Sequence, residues 1–169
     1  MRIGIIGGGQ LARMMMEASY KYGFEFVILS NEKNSPAGKI TCSEIVGDWN
    51  DLKCLKKFAE QCDVVTLENE FIDYTKLEYL ESLGKKVYPS SANIKLIQDK
   101  FIQKSTLSSL KIPVADFVEI ESKDDIKSFA EKFSYPVILK SRTMGYDGKG
   151  NYKIDSENQA ICVDGKNAG

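Results

Sequence analysis

Short apolar runs alternate along this chain with stretches whose apolar residues recur every three or four positions. Arg2 to Ile6 is such a run, ending at glycines, and after it Leu11, Met14, Met15, Ala18 and Tyr22 keep helical spacing. The pattern predicts strand, tight turn and amphipathic helix, with Met14, Met15 and Met16 as core filler and Gly23 as the C-cap. Phe24 to Leu29 supplies a second strand and completes a βαβ unit. Asn31 to Ile40 is a polar connection holding Pro36 and Gly38. Glu44 to Val46 is a short strand candidate, Asp51 to Gln61 a helix, Asp63 to Leu67 a strand, Tyr74 to Leu83 a helix stopped by Gly84, and Lys86 to Tyr88 a last short strand. Strands alternating with helices argue for an α/β fold with a doubly wound, Rossmann-like parallel sheet over residues 1–90, whose ligands sit at the carboxyl ends of the strands.

Beyond Pro89 the texture changes. Ala92 to Leu110 is helical, in two pieces around Gln98-Asp99, and forms a connection over residues 91–110. Pro113 opens an extended stretch through Ile120. Ser122 with Asp125 has the spacing of a capping box, for a helix that places Ile126, Phe129, Ala130 and Phe133 on one face. Pro136 to Lys140 then reads as a buried strand with a charged end, followed by a glycine-rich loop and a strand candidate from Asn151 to Ile154. Residues 111–169 thus look like the start of a second, α+β domain, and the tail from Glu157 to Gly169 has little periodicity.

Composition narrows the classes of function. With 169 residues, 43% of them hydrophobic and 28% charged, the chain can bury a core. Lys and Arg number 23 against 24 Asp and Glu, so no broad field attracts nucleic acid or acidic lipid, and any bound anion must be held locally. The amino terminus is far short of a signal sequence or membrane span, which points to a cytoplasmic address. The cysteines at 42, 54, 62 and 162 form no C-x-x-C pair and read as reduced, mostly buried thiols. Histidine is absent, so acid or base chemistry falls to Asp, Glu, Lys, Tyr or Cys.

Three constellations carry candidate chemistry. Gly7-Gly8-Gly9-Gln10-Leu11-Ala12 matches G-x-G-x-x-A between a strand and a helix, where backbone N–H groups and the helix dipole face an anion. A nicotinamide or flavin dinucleotide, as in an NAD(P)-dependent oxidoreductase, also wants an acid ending the second strand, where Ser30-Asn31 stands and Glu32 is displaced. A phosphate of another ligand, or a turn needed only for packing, are the other readings. Glu68 and Glu70 point the same way if the strand persists, and could accept hydrogen bonds from ribose hydroxyls or belong to a solvated loop. In the third, Gly145, Gly148 and Gly150 let N–H groups converge on phosphate oxygens, Lys149 adds a charge, and Lys140 would place an ammonium over the same anion. Tyr146 and Asp147 are unusual in such a loop, and Asp147 could carry a proton. A hairpin turn is the plainer reading of the glycines.

Taken in order, Gly7 to Leu11, Glu68 and Glu70, Gln98-Asp99-Lys100 with Gln103-Lys104, Ile112-Pro113, Tyr135 to Lys140 and Gly145 to Gly150 resemble the biotin-independent carboxylase branch of the ATP-grasp superfamily, most closely its N5-carboxyaminoimidazole ribonucleotide synthetases. The resemblance covers residues 1 to about 155. It implies a pre-ATP-grasp domain followed by the beginning of an ATP-grasp domain. It also implies a ligase of purine biosynthesis in which ATP and bicarbonate form carboxyphosphate, whose carbon dioxide is captured by the amine of aminoimidazole ribonucleotide. Lys100, Lys140 and the segment Gly145, Tyr146, Asp147, Gly148, Lys149, Gly150 and Asn151 would then contact ATP. Gly8, Gly9, Gln10 and Leu11 would hold the ribonucleotide's phosphate end, Glu70 or Glu68 its ribose, and Tyr146, Asp147 and Lys149 its imidazole side, with Asp147 as acid or base. The resemblance further implies a homodimer, with no nucleic acid or membrane partner. Magnesium ligands, the adenine segment and a late catalytic lysine are expected beyond residue 169, so the chain alone is expected to turn over little or nothing. Two positions depart from the family: Lys100 stands where arginine is common, which loses bidentate contact, and Ser30-Asn31 replaces an Asp-Pro.

Overall fold

A computed structural model describes residues 1–145 and 149–161, with backbone alone at 160 and 161. Tyr146, Asp147, Gly148 and Cys162 lie outside the described residues. Two compact units divide the chain, Met1–Lys95 and Leu96–Gly169.

The first unit is built on five parallel strands, β1 (Arg2–Ile6), β2 (Glu25–Ser30), β3 (Glu44–Val46), β4 (Val64–Leu67) and β5 (Lys86–Tyr88). Their order is β3-β2-β1-β4-β5, so the chain lays β2 and β3 to one side of β1 before returning to its other side for β4 and β5. Side chains alternate between faces, and both faces are covered. Ile5, Phe26 and Ile28 pack with Ala12 and Met16 of helix α1 (Gln10–Ser19). Ile6, Val27, Leu29, Val65, Leu67 and Val87 pack with Leu55 and Phe58 of α2 (Leu52–Glu60) and Leu77 and Leu80 of α3 (Tyr74–Ser82). Complete burial of each such side chain contributes roughly 1.5–3 kcal/mol, and this two-sided burial holds the sheet. Asp51 and Asp73 cap α2 and α3, accepting from the N–H groups of Lys53 and Thr75 at 2.9 Å. Gly23 ends the first helical stretch at φ 73°, after a 3-10 turn over Tyr20–Tyr22.

The division between units falls within α4 (Ser91–Gln98). In the second unit, α5 (Lys100–Ser109) follows at once, capped by Asp99. Helix α6 (Lys123–Phe133) carries the expected capping box between Ser122 and Asp125. Ile126 and Ala130 pack against Val137 and Ile154 of an antiparallel hairpin, β6 (Val137–Lys140) with β7 (Asn151–Ile154), and a short helix α7 (Glu157–Ile161) follows. Residues 113–120, the stretch expected to be extended, form no helix or strand.

Three expectations need correction. Of the helix α1 methionines Met16 is buried and Met15 packs partly buried against the same cluster, but Met14 is 54% exposed, because consecutive residues turn 100° apart and three in a row cannot all face the sheet. β6 is not buried on both faces: Ile138 is 53% exposed, as befits a two-stranded hairpin covered on one side. Of the described cysteines only Cys62 is buried, with Cys54 partly so and Cys42 exposed.

Candidate functional site

The glycine turn is held from three sides. Gly7, at φ 101°, donates its N–H to the Leu29 carbonyl at 2.9 Å, and the Gly8 carbonyl accepts from Ala37 N–H at 2.9 Å. Across the switch point, Glu68 follows β4, its own N–H bonded to the Ile6 carbonyl at 2.9 Å. Glu68 Oε2 accepts from the Gly9 N–H at 2.8 Å. A Cβ on Gly7 would stand 2.6 Å from the Glu68 Cβ on a backbone with positive φ, so that position favours glycine, and one on Gly9 would force the Glu68 carboxylate to move.

The connection after β2 is fastened to this turn. Ser35, fully buried, donates its hydroxyl to Glu44 Oε1 at 2.7 Å and accepts from Gly38 N–H at 3.0 Å. Glu44 also accepts from the N–H groups of Asn34 and Ser35 at 2.9 and 3.0 Å. Desolvation alone would raise the Glu44 carboxyl, but these donors together bring it below its ordinary value. The result is a cavity of about 240 Å³ at the carboxyl ends of β1, β2 and β4, where an open α/β sheet takes its ligand. Gly7, Gly8, Gly9, Glu68 and Asn69 line it together with Ser30, Asn31, Glu32, Trp49 and Phe71. Gln10 and Leu11 are exposed on the first turn of α1, and Glu70 is exposed two residues past Glu68.

In the second unit the β6–β7 pairing sets Lys140 opposite Asn151, and Ser141 N–H bonds the Gly150 carbonyl at 2.8 Å, closing the base of the glycine loop. Gly150 takes φ 73°, a conformation that favours glycine. Lys100 opens α5 with its ammonium against Gly145, so that a Cβ there would overlap it. Lys100 N–H bonds the Arg142 carbonyl at 2.9 Å. Arg142 in turn donates from Nε at 2.9 Å and Nη2 at 2.6 Å to Asp99 Oδ2, donates from Nη1 to Glu119, and lies 5.4 Å over the Phe101 ring. Asp99 Oδ1 accepts from Phe101 and Ile102 N–H at 2.9 and 3.1 Å. Desolvation pushes the Asp99 carboxyl up, but Arg142 and these amides outweigh it and bring it below its ordinary value. Lys100, Lys140, Gly145, Gly150 and Asn151 are therefore assembled around one loop, with Lys149 exposed within it. Among the described residues no group of three or more Cys, Asp or Glu could hold a metal ion.

Sequence reasoning overlooked Arg142, Glu119, Ser35 and Glu44, and the aromatic wall of Trp49 and Phe71. Arg142 had a signal, an arginine two residues past a strand-ending lysine, and so did Trp49, the single tryptophan of the chain.

A model of the ribonucleotide synthetase preATP-grasp domain matches residues 1–98, and an ATP-grasp domain model matches residues 105–165. The chain is 40% identical to the phosphoribosylaminoimidazole carboxylase of Saccharomyces cerevisiae over 161 residues, which is 92% of this chain and 28% of that protein. It is 35% identical to the N5-carboxyaminoimidazole ribonucleotide synthase of Pseudomonas aeruginosa, over 89% of this chain and 41% of that protein. Among solved structures, an ADP complex of an N5-carboxyaminoimidazole ribonucleotide synthetase superposes with TM-score 0.86 and 37% identity, covering 96% of this chain and 43% of the other. The Aspergillus clavatus enzyme in complex with ADP and 5-aminoimidazole ribonucleotide superposes with TM-score 0.83 and 31% identity, covering 96% and 42%. The chain thus spans less than half the length of these relatives.

Proposed function

This chain belongs to the ribonucleotide synthetase preATP-grasp family, continued by an ATP-grasp domain, and from that premise we propose that it is the front portion of an N5-carboxyaminoimidazole ribonucleotide synthetase. The complete enzyme transfers the γ-phosphoryl group of ATP to bicarbonate, giving carboxyphosphate and ADP. Carboxyphosphate releases carbon dioxide and phosphate, and the exocyclic amine of aminoimidazole ribonucleotide captures the carbon dioxide.

The observation that carries the reading is the approach of the Lys100 ammonium to Gly145 at the base of the loop that Lys140 and Asn151 flank. Cations around one loop suit a nucleotide polyphosphate, offsetting charge on the phosphoryl oxygens, while a covering loop would keep water from a labile intermediate. Lys100 and Lys140 are assigned to ATP, and Gly145 to Asn151 to the cover over its phosphates. Gln10 and Leu11, on the first turn of α1 where N–H groups have no intrahelical acceptor, are assigned to the ribonucleotide's phosphate end, with Glu70 or Glu68 on its ribose. Tyr146, Asp147 and Lys149 are assigned to the imidazole side, with Asp147 as acid or base. Among the described residues no cluster of carboxylates or thiols could hold magnesium. A homodimer is the expected assembly of the complete enzyme, which light scattering checks.

Separate titrations of the chain with ATP, aminoimidazole ribonucleotide and NADH test the assignment. Saturable binding of ATP and the ribonucleotide is expected, and response to NADH alone would overturn it in favour of a dinucleotide-dependent oxidoreductase. In the complete enzyme, Asp147→Asn is expected to lower ATP-dependent bicarbonate consumption by orders of magnitude without shifting the melting temperature; unchanged turnover would remove Asp147 from its role.

A further inference from the structure

We propose that Glu68 is a specificity-determining residue: its carboxylate occupies the anion position of the glycine turn, excluding a dinucleotide pyrophosphate and leaving the ribose to Glu70. The second half of this statement rests on the functional reading above.

In a dinucleotide-binding turn the glycines bring backbone close to a pyrophosphate, which the N–H groups at the helix start then hold. Here the same space is filled from within the protein. Gly9, the N-cap residue of α1, gives its N–H to Glu68 Oε2 at 2.8 Å, and both Gly7 and Gly9 turn their open sides to the Glu68 side chain. Helix α1 has no side-chain cap of its own and no acid in its first turn, so Glu68 is the charge that meets the positive end of its dipole. The Glu68 backbone, from which the carboxylate springs, is held by the bond from its N–H to the Ile6 carbonyl just past the end of β4. A pyrophosphate entering the turn would have to displace this acceptor and place its charges beside Glu68, with Glu32 lining the same cavity. A ligand's phosphate is thereby directed past Gly9, toward the N–H groups of Gln10 and Leu11. Glu70, two residues further on, is exposed, and the functional reading assigns it to the sugar of a ligand so placed.

Inorganic pyrophosphate is the probe, titrated into the chain while the Gly9 and Gln10 amide signals are followed by NMR. Glu68→Gln keeps an oxygen for Gly9 N–H but removes the charge, and is expected to tighten pyrophosphate binding about tenfold, the scale of one unit charge near a partly exposed anion. Glu68→Asp keeps the charge and is expected to bind pyrophosphate as weakly as the parent. Equal affinity of all three proteins, including no binding to any, or a gain in Glu68→Asp as large as in Glu68→Gln, overturns the proposal. Glu70→Gln is the separate arm for the functional reading and is expected to weaken aminoimidazole ribonucleotide several-fold, by removing the charge from the acceptor that meets the ribose hydroxyls. An unaffected ribonucleotide affinity there sinks the ribose assignment, whereas a flat pyrophosphate response in Glu68→Gln sinks the exclusion role alone.

Discussion

Replacing Asp99 by alanine removes two things at once, the N-cap of α5 and the acceptor for Arg142. The cap dominates, since two N–H groups of the first turn lose their partner; such losses cost about 1 kcal/mol. Asparagine caps about as well as aspartate, so Asp99→Asn keeps this contribution through its one oxygen but turns its NH2 toward Arg142, giving up the charge and the Arg142 hydrogen bonds, a salt-sensitive loss at a half-exposed arginine. A cost near 1 kcal/mol multiplies the local opening equilibrium about fivefold. Hydrogen exchange by mass spectrometry at pH 7 should therefore show amides of the α5 amino terminus exchanging about fivefold faster in Asp99→Ala and clearly less than that in Asp99→Asn. Trp49, the single tryptophan and a residue of the first unit, provides the control, because its fluorescence-detected urea transition should not move. Because Lys100 follows Asp99 directly and its ammonium lies against Gly145, Asp99→Ala should also weaken ATP binding more than Asp99→Asn does. Equal exchange in the two variants, or a shift confined to the Trp49 transition, would refute the view that Asp99 organises the start of α5.

Two further predictions concern pH and thiols. Glu44, Asp73, Asp99 and Asp125 all titrate below their ordinary values of 4.5 for Glu and 3.8 for Asp, so the unfolded chain binds more protons than the folded one in that range. Their stabilisation is complete above the unfolded values and lost as pH falls through the folded ones; urea midpoints should be flat from pH 7 to about 5 and decline below about 4.5. A midpoint independent of pH down to 3 would contradict the donor sets described for these carboxylates. Desolvation pushes the Cys62 thiol up to about 12, and it is 3% exposed, while Cys42 is exposed. In a Cys162→Ser background Cys42 should react first with a thiol reagent and Cys62 only on unfolding, and fast native labelling of Cys62 would refute its burial.

Local chemistry explains why so much of the fold could be read in advance. Asp51, Asp73, Asp99 and Ser122 cap helices through residues two or three positions away, and Gly23 and Gly84 stop helical segments with positive φ, all signals contained in a few consecutive residues. Residue frequency in a helix does not say which side faces the sheet, and Met14 was misplaced for that reason. Burial of β6 was overestimated because an apolar run is equally consistent with a strand covered on one face or two.

The candidate site divides along the same line. Sequence by itself determined that a glycine turn joins β1 to α1, that acids follow β4, and that lysines and glycines surround the β6–β7 loop, because each is a matter of spacing within one segment. Only the tertiary structure decided which groups meet. Glu68 reaches Gly9 across 59 residues because β1 and β4 pair in parallel with Ile6 beside Leu67, and Arg142 reaches Asp99 across 43 because the hairpin carries it there. A one-residue slip of either register would turn these side chains to the opposite face, and no local pattern encodes that choice.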